Sequence, residues 1–333
     1  MPFARTAARR ALAEEVERIA GDLRVPLGEL EDALAALVGG EGLPPGLAPE
    51  VLFEGGVPRL RPVLVVLASR AAAMREADAQ AAFEVVAIAE MLQGAILLHD
   101  AALGRRDGRR RRVARRVLRG ATTWLGANHL TLRALELARR APAPEVMGEA
   151  LDALRDISET HALGAQLRER APTPAEVLQH AEGHSGALMA FACRAAGHVA
   201  GAGRAEVTNL GRYGRHVGVA LCLAEDLALF ERRGHSAFGR ELARAAGRPV
   251  FPVAAANARD PSVDPLWRLV GRGRDPALAV ELADRVYAAG GLVAGREALV
   301  KHAWEARRAL APLPDSPARD SLDRIAASLA RAA

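Results

Sequence analysis

The sequence predicts an all-α protein, a single bundle of about a dozen mostly antiparallel helices over residues 1–333. Apolar residues recur at helical spacing along nearly the whole chain, and no stretch alternates as a half-buried strand would. Half of the residues are apolar but only 4% are aromatic. Ala and Leu dominate and β-branched residues other than Val are scarce, a composition that loses little side-chain freedom on entering a helix. No internal repeat or long disordered linker interrupts the pattern, and 333 residues suffice for a substantial core.

In chain order, residues 4–23 read as an amphipathic helix with Ala8, Leu12, Val16 and Ile19 on one face. A second helix covers 28–38 and is stopped by Gly39-Gly40, and residues 39–46, with Pro44 and Pro45, form a loop. Residues 61–76 and 79–100 read as two long buried helices. An Arg/Gly-rich loop follows, then helices at 110–140 and 145–170. Pro172 and Pro174 mark the next start, with Thr173 as N-cap of a helix over 174–200. Another long helix spans 205–231, and shorter ones with Pro and Gly breaks fill 236–275. Two helices finish the chain, at 277–311, with a candidate break at Gly290-Gly291, and at 316–331.

The net charge is +5, and Lys301 is the single lysine among 45 basic residues. A role that needs a lysine amine therefore has almost nowhere to sit. Arg105, Arg106, Arg109 to Arg112, Arg115, Arg116 and Arg119 form a basic cluster. Such a patch suits an anionic membrane surface, by peripheral contact, or an acidic partner. A solvated loop and helix face is the plainer account. No aromatic interleaving or motif supports nucleic acid as a partner. Cys193 and Cys222 are expected as buried thiols, not a disulfide. No apolar run is expected to reach the length of a membrane span, and the N-terminus lacks the apolar segment of a signal peptide, so a cytoplasmic protein is expected.

Several segments carry chemistry. Gly55-Gly56-Val57-Pro58-Arg59-Leu60-Arg61-Pro62 opens a helix, and Glu90 to Asp100 closes the next with His99-Asp100-Ala101-Ala102-Leu103-Gly104. Gly183-His184-Ser185-Gly186-Ala187-Leu188 and Val217 to Phe230, which contains Glu225-Asp226, lie in two later helices. Gly247-Arg248-Pro249-Val250-Phe251-Pro252 and the tail from Ala309 to Leu322 complete the series. In order and spacing, over roughly residues 50–330, these segments resemble the all-trans isoprenyl (polyprenyl) diphosphate synthases.

The resemblance implies an isoprenoid-synthase fold, helices around a central cavity, and a dimer. It implies a reaction in which an allylic diphosphate ionises and isopentenyl diphosphate attacks the cation. Magnesium ions bridging the diphosphate to two carboxylate helices neutralise the leaving group. The family's first helix ends His-Asp-Asp-x-x-Asp. Here Asp100 is kept, while Ala101 and Gly104 stand at the other two carboxylate positions, and Gln93 stands where a histidine is usual. The second helix of the family reads Gly-x-x-x-Gln-x-x-Asp-Asp-x-x-Asp. Cys222 replaces its glutamine, Glu225 and Asp226 match the first two carboxylates, and Leu229 replaces the third. Carboxylates at i and i+4 share a helix face, whereas adjacent ones diverge by about 100°. Magnesium is therefore expected to bind weakly, through Asp100, Glu225 and Asp226, or not at all.

Diphosphate binding is implied for Arg59, Arg61, Arg105, Arg106, His184 and Arg248. Arg248 replaces a lysine conservatively in charge, but Pro58 and His184 stand where lysines are expected. Ala95 and Ile96, with His99, fall on the wall of the product tunnel, and the small residues there imply a deep apolar one. Each residue also has a plainer reading. Asp100 and His99 can be a satisfied polar pair closing a buried helix, Glu225 and Asp226 can fill polar space between helices, and His184 can be a core histidine. Arg59 and Arg61 sit at a helix start, where exposed amides favour an anion.

Three functions follow. The first is a degenerate family member that binds isoprenoid or diphosphate without turnover, or serves as a non-catalytic subunit, homodimeric or paired with an intact homologue. The second is a working prenyltransferase with altered metal use. The third is a scaffold that uses its arginine-rich face.

Overall fold

The computed structural model describes residues 7–22, 32, 59–72, 79–102, 121–167, 170–231, 238–245, 248–271 and 276–331. Helix α1 covers Ala7–Asp22, α2 Leu60–Ala72, α3 Ala79–Ala102, α4 Ala121–Arg140 and α5 Glu145–Gln166. Helix α6, Pro174–Ala181, runs through a π-helical turn, Glu182–Gly186, into α7, Ala187–Val199. The long α8 spans Arg204–Phe230. Three short helices follow, α9 Phe238–Ala245, α10 Phe251–Asn257 and α11 Val263–Gly271. Helices α12 Pro276–Ala288, α13 Gly291–Leu310 and α14 Pro317–Arg331 complete the chain. The fold is all-α, with no strand among the described residues.

Thr173 caps α6 as its sequence foretold: its hydroxyl accepts from the Glu176 amide and the Glu176 carboxylate accepts from the Thr173 amide. Gly290, at φ 72°, makes the turn between α12 and α13, so the candidate break there is real. The expected helix at 28–38, the loop at 39–46 and the arginine cluster at 105–119 lie outside the described residues, apart from Asp32.

The main core gathers α1 to α8, α10, α13 and α14 around residues such as Leu64, Met91, Leu92, Phe191 and Tyr213. The Tyr213 hydroxyl, fully buried, donates to the Leu322 carbonyl at 2.8 Å and ties α8 to α14. A second core, centred on Phe230, Phe238, Leu242 and Trp267, packs α9 to α12 together.

One expectation is corrected. The stretch Ala79–Asp100 is long and apolar enough to cross a membrane, but 83% of its most apolar window is buried inside the protein. A helix surrounded by other helices is apolar on all sides, which imitates the composition of a span.

Helix α8 crosses the π-helical turn at very short range. A Cβ on Gly218 would collide with the Ser185 carbonyl, and one on Gly183 would collide with the Thr160 hydroxyl. These two glycines let α5, the π-helical turn and α8 meet, and the candidate site lies at that meeting.

Candidate functional site

Asp100 lies in the last turn of α3, with its side chain 1% exposed. Two imidazoles flank its carboxylate. His161 of α5 places Nε2 3.3 Å from Oδ1, and His184 of the π-helical turn places Nε2 3.7 Å from Oδ2. One ligand atom from each of the three residues falls within 4.8 Å of the others, the spacing of a potential metal-binding group. A buried carboxylate needs such compensation, because burial opposes its charge.

The cluster extends further. The His180 ring stacks on His184, with centroids 5.8 Å apart and planes 9° from parallel. His184 Nδ1 lies 3.4 Å from the Ser185 hydroxyl, which accepts from Cys222 Sγ of α8 at 3.1 Å. His99 faces Trp124 of α4 across 5.2 Å. Burial pushes the His99 imidazole below its ordinary pKa, against a hydrogen bond with Asn128, and His161 adds to the lowering. Burial also pushes the Cys222 thiol up to about 12, so it stays a neutral donor. Beside the cluster lies a recess of about 200 Å³ lined by Asp156, Glu159, Thr160, Leu163, Gln179, Glu182, Gly183 and Arg215.

The carboxylates of α8 are divided. Asp226 is 2% exposed and engaged twice: Oδ1 accepts from Arg248 at 2.5 Å and Oδ2 accepts from the Phe251 backbone amide at 2.7 Å. Burial pushes the Asp226 carboxyl up, against the pull of Arg248 and the amide. Burial also opposes the Arg248 charge, but Asp226 and Glu225 outweigh it and hold that guanidinium firmly protonated. Two of the residues named from the sequence, one as a metal ligand and one as a phosphate binder, are thus partners of each other. Glu225 is half-buried one residue away, as is Leu229 at i+4 from it.

The remaining candidates divide by burial. Arg61 is buried and pairs with Glu90 of α3 through two hydrogen bonds, Nε to Oε1 at 2.8 Å and Nη2 to Oε2 at 2.9 Å. Gln93 accepts from its third nitrogen at 3.4 Å. Arg59 holds the left-handed backbone conformation, φ 61°, before α2 and reaches Glu17 of α1 at 3.0 Å. Ala95 and Ile96 are buried in the main core on α3. Arg105 and Arg106, with the peripheral membrane contact that their cluster suggested, lie outside the described residues.

Sequence reading named Asp100 and His184 but missed His161 and His180. The spacing of His180 and His184, four residues apart on one helical run, was a legible sign of a shared face. His161 carried no such sign, since only the packing of α5 on the π-helical turn brings it to Asp100.

The family model for polyprenyl synthetase matches residues 48–240. A prenyl transferase of Synechocystis sp. is 29% identical over 308 residues, covering 90% of this chain and 92% of its own. The crystal structure of a decaprenyl diphosphate synthase from Rhodobacter capsulatus superposes with a TM-score of 0.82 at 25% identity, covering 95% of this chain and 98% of that one. A polyprenyl synthase from Caulobacter crescentus, crystallised with calcium and isoprenyl diphosphate, gives 0.78 at 24% identity, covering 96% of this chain and 98% of that one.

Proposed function

Because the chain belongs to the polyprenyl synthetase family, we propose that it binds an isoprenyl diphosphate without condensing it, and acts as a non-catalytic subunit beside an intact homologue. The observation that carries this reading is the setting of Asp100: its flanking groups are the imidazoles of His161 and His184, and the sequence has no second carboxylate at i+1 or i+4. Magnesium prefers hard oxygen ligands in octahedral geometry. Of the three carboxylates expected to hold it, Asp226 is engaged by Arg248 and Phe251, and Asp100 lies between two imidazoles. That set does not fit a cluster of several magnesium ions.

Loss of a single electrostatic stabiliser commonly costs about 2.7–4 kcal/mol of barrier. The positions of Ala101, Gly104 and Leu229 remove three, and Pro58 and His184 remove two lysine charges. Such losses are not additive, but together they leave little turnover. Binding asks less. Arg248, a third of whose side chain is exposed beside Asp226, keeps a cation within reach of a diphosphate headgroup. A face for a second subunit is supported by exposed Trp124, Leu125 and Leu132 on α4 and Leu151 on α5.

The test is to mix the purified chain with an intact synthase of the same source. Co-elution and a changed product length or rate are expected, with no product from the chain alone. No association, together with no binding of an allylic diphosphate, overturns the reading.

A further inference from the structure

We infer that Asp100, His161 and His184 form a binding site for one divalent transition-metal cation of the zinc type, with nitrogen-rich ligands that select against magnesium. The site does not depend on whether the chain turns over an isoprenyl diphosphate.

Geometry carries the inference. Four-coordinate zinc holds nitrogen and oxygen ligands at about 2.0–2.2 Å, which places neighbouring ligand atoms about 3.3–3.5 Å apart. His161 Nε2 lies 3.3 Å from Asp100 Oδ1 and His184 Nε2 lies 3.7 Å from Oδ2, and one ligand atom from each of the three residues falls within 4.8 Å of the others. Side-chain rotation of one imidazole closes the remainder. His161 Nε2 is buried and makes no hydrogen bond, although it lies 3.3 Å from the carboxylate. A buried ring nitrogen without a hydrogen bond is poorly used by the protein alone, and a cation between the groups uses both.

The surroundings fit a ligand role. A metal-bound histidine is usually oriented by a hydrogen bond from its other nitrogen. His184 Nδ1 lies 3.4 Å from the Ser185 hydroxyl, itself fixed by Cys222 Sγ, which leaves Nε2 turned to Asp100. Stacking with His180 holds the same ring from one face. Imidazole and carboxylate donors suit zinc, cobalt and nickel, whereas magnesium takes oxygen. Three protein ligands on a divalent ion leave one net positive charge and an open fourth position for water or an anionic oxygen. The ligands come from α3, α5 and the π-helical turn, so one ion pins three elements together.

The experiment uses the full chain, free of any histidine tag and stripped of metal by a chelator. Cobalt is titrated and read by visible absorption, then displaced with zinc, and magnesium is offered at millimolar concentration. The expected result is one cobalt per chain, with the intense bands of a four-coordinate site, displaced by one equivalent of zinc and not by magnesium. His161→Gln and His184→Gln should each weaken binding at least tenfold, and His302→Gln, in a separate histidine pair, should not. If a variant melts early, the wild-type spectrum and the magnesium competition decide alone. No stoichiometric cobalt, displacement by magnesium, or equal binding in folded His161→Gln and His184→Gln variants overturns the inference.

Discussion

Arg248 donates to Asp226 at 2.5 Å, and that pairing joins the end of α8 to the residues that lead into α10. Asp226 is then occupied in holding the fold rather than in presenting an open carboxylate. The Asp226→Asn variant should therefore lose about 2 kcal/mol of stability without any metal present. Breaking a fully buried pair costs about 3–5 kcal/mol, and the cost is less here because a third of the Arg248 side chain is exposed. Denaturant melts in the presence of a chelator measure this. A loss seen only with magnesium present would make Asp226 a metal ligand instead.

Arg61 and Glu90 form the other buried pair, 6% and 2% exposed. Arg61→Ala should cost about 3–5 kcal/mol, because it strands a charged Glu90 in the core. The double variant Arg61→Met/Glu90→Leu should recover most of that loss, since two apolar side chains leave no unpaired charge. Urea titrations of the three proteins distinguish this from a phosphate-binding role, for which the single variant would keep its stability and lose only ligand.

Gly218→Ala should cost about 1–3 kcal/mol, the usual penalty of overpacking. The added methyl meets the Ser185 carbonyl, which is backbone and cannot swing away. The same push displaces the π-helical turn, so histidine resonances of His184 should shift in an NMR spectrum of the variant. Unchanged stability would mean that α8 and this turn stand further apart than described.

His302 and His216 meet Nδ1 to Nδ1 at 3.0 Å between α13 and α8. Burial, and then the charge of His216, lower the His302 pKa from 6.5 to about 4. A depressed imidazole pKa favours the neutral folded form. Its stabilising effect is present above pH 6.5 and is lost as the pH falls towards 4. After discounting for partial solvent screening, the loss is on the order of 1–2 kcal/mol. Thermal melts across that range should show it, and His302→Gln should flatten the slope.

The helices were legible because Ala- and Leu-rich stripes at 3.6-residue spacing leave little choice of structure. Boundaries at Thr173 and Gly290 were legible for local reasons, a capping side chain and a left-handed turn. The π-helical turn at 182–186 was not, since one extra residue inside a continuing helix hardly disturbs its apolar pattern. Asp100 and His184 were visible by their place in a motif, while His161 was not, because α5 reaches them only through tertiary packing. Arg61 was visible as a cation, but its engagement with Glu90, 29 residues on, is a property of the fold.

The central claim is that this chain by itself does not condense prenyl diphosphates. A single-turnover assay tests it most directly, with enzyme in excess over radiolabelled isopentenyl diphosphate, a set of allylic diphosphates, and saturating magnesium. Product should form more slowly than about 10⁻² s⁻¹, three orders of magnitude below a typical turnover of roughly 10 s⁻¹. Rapid product formation by the chain alone, abolished by Asp100→Ala, would contradict the account and establish an active prenyltransferase.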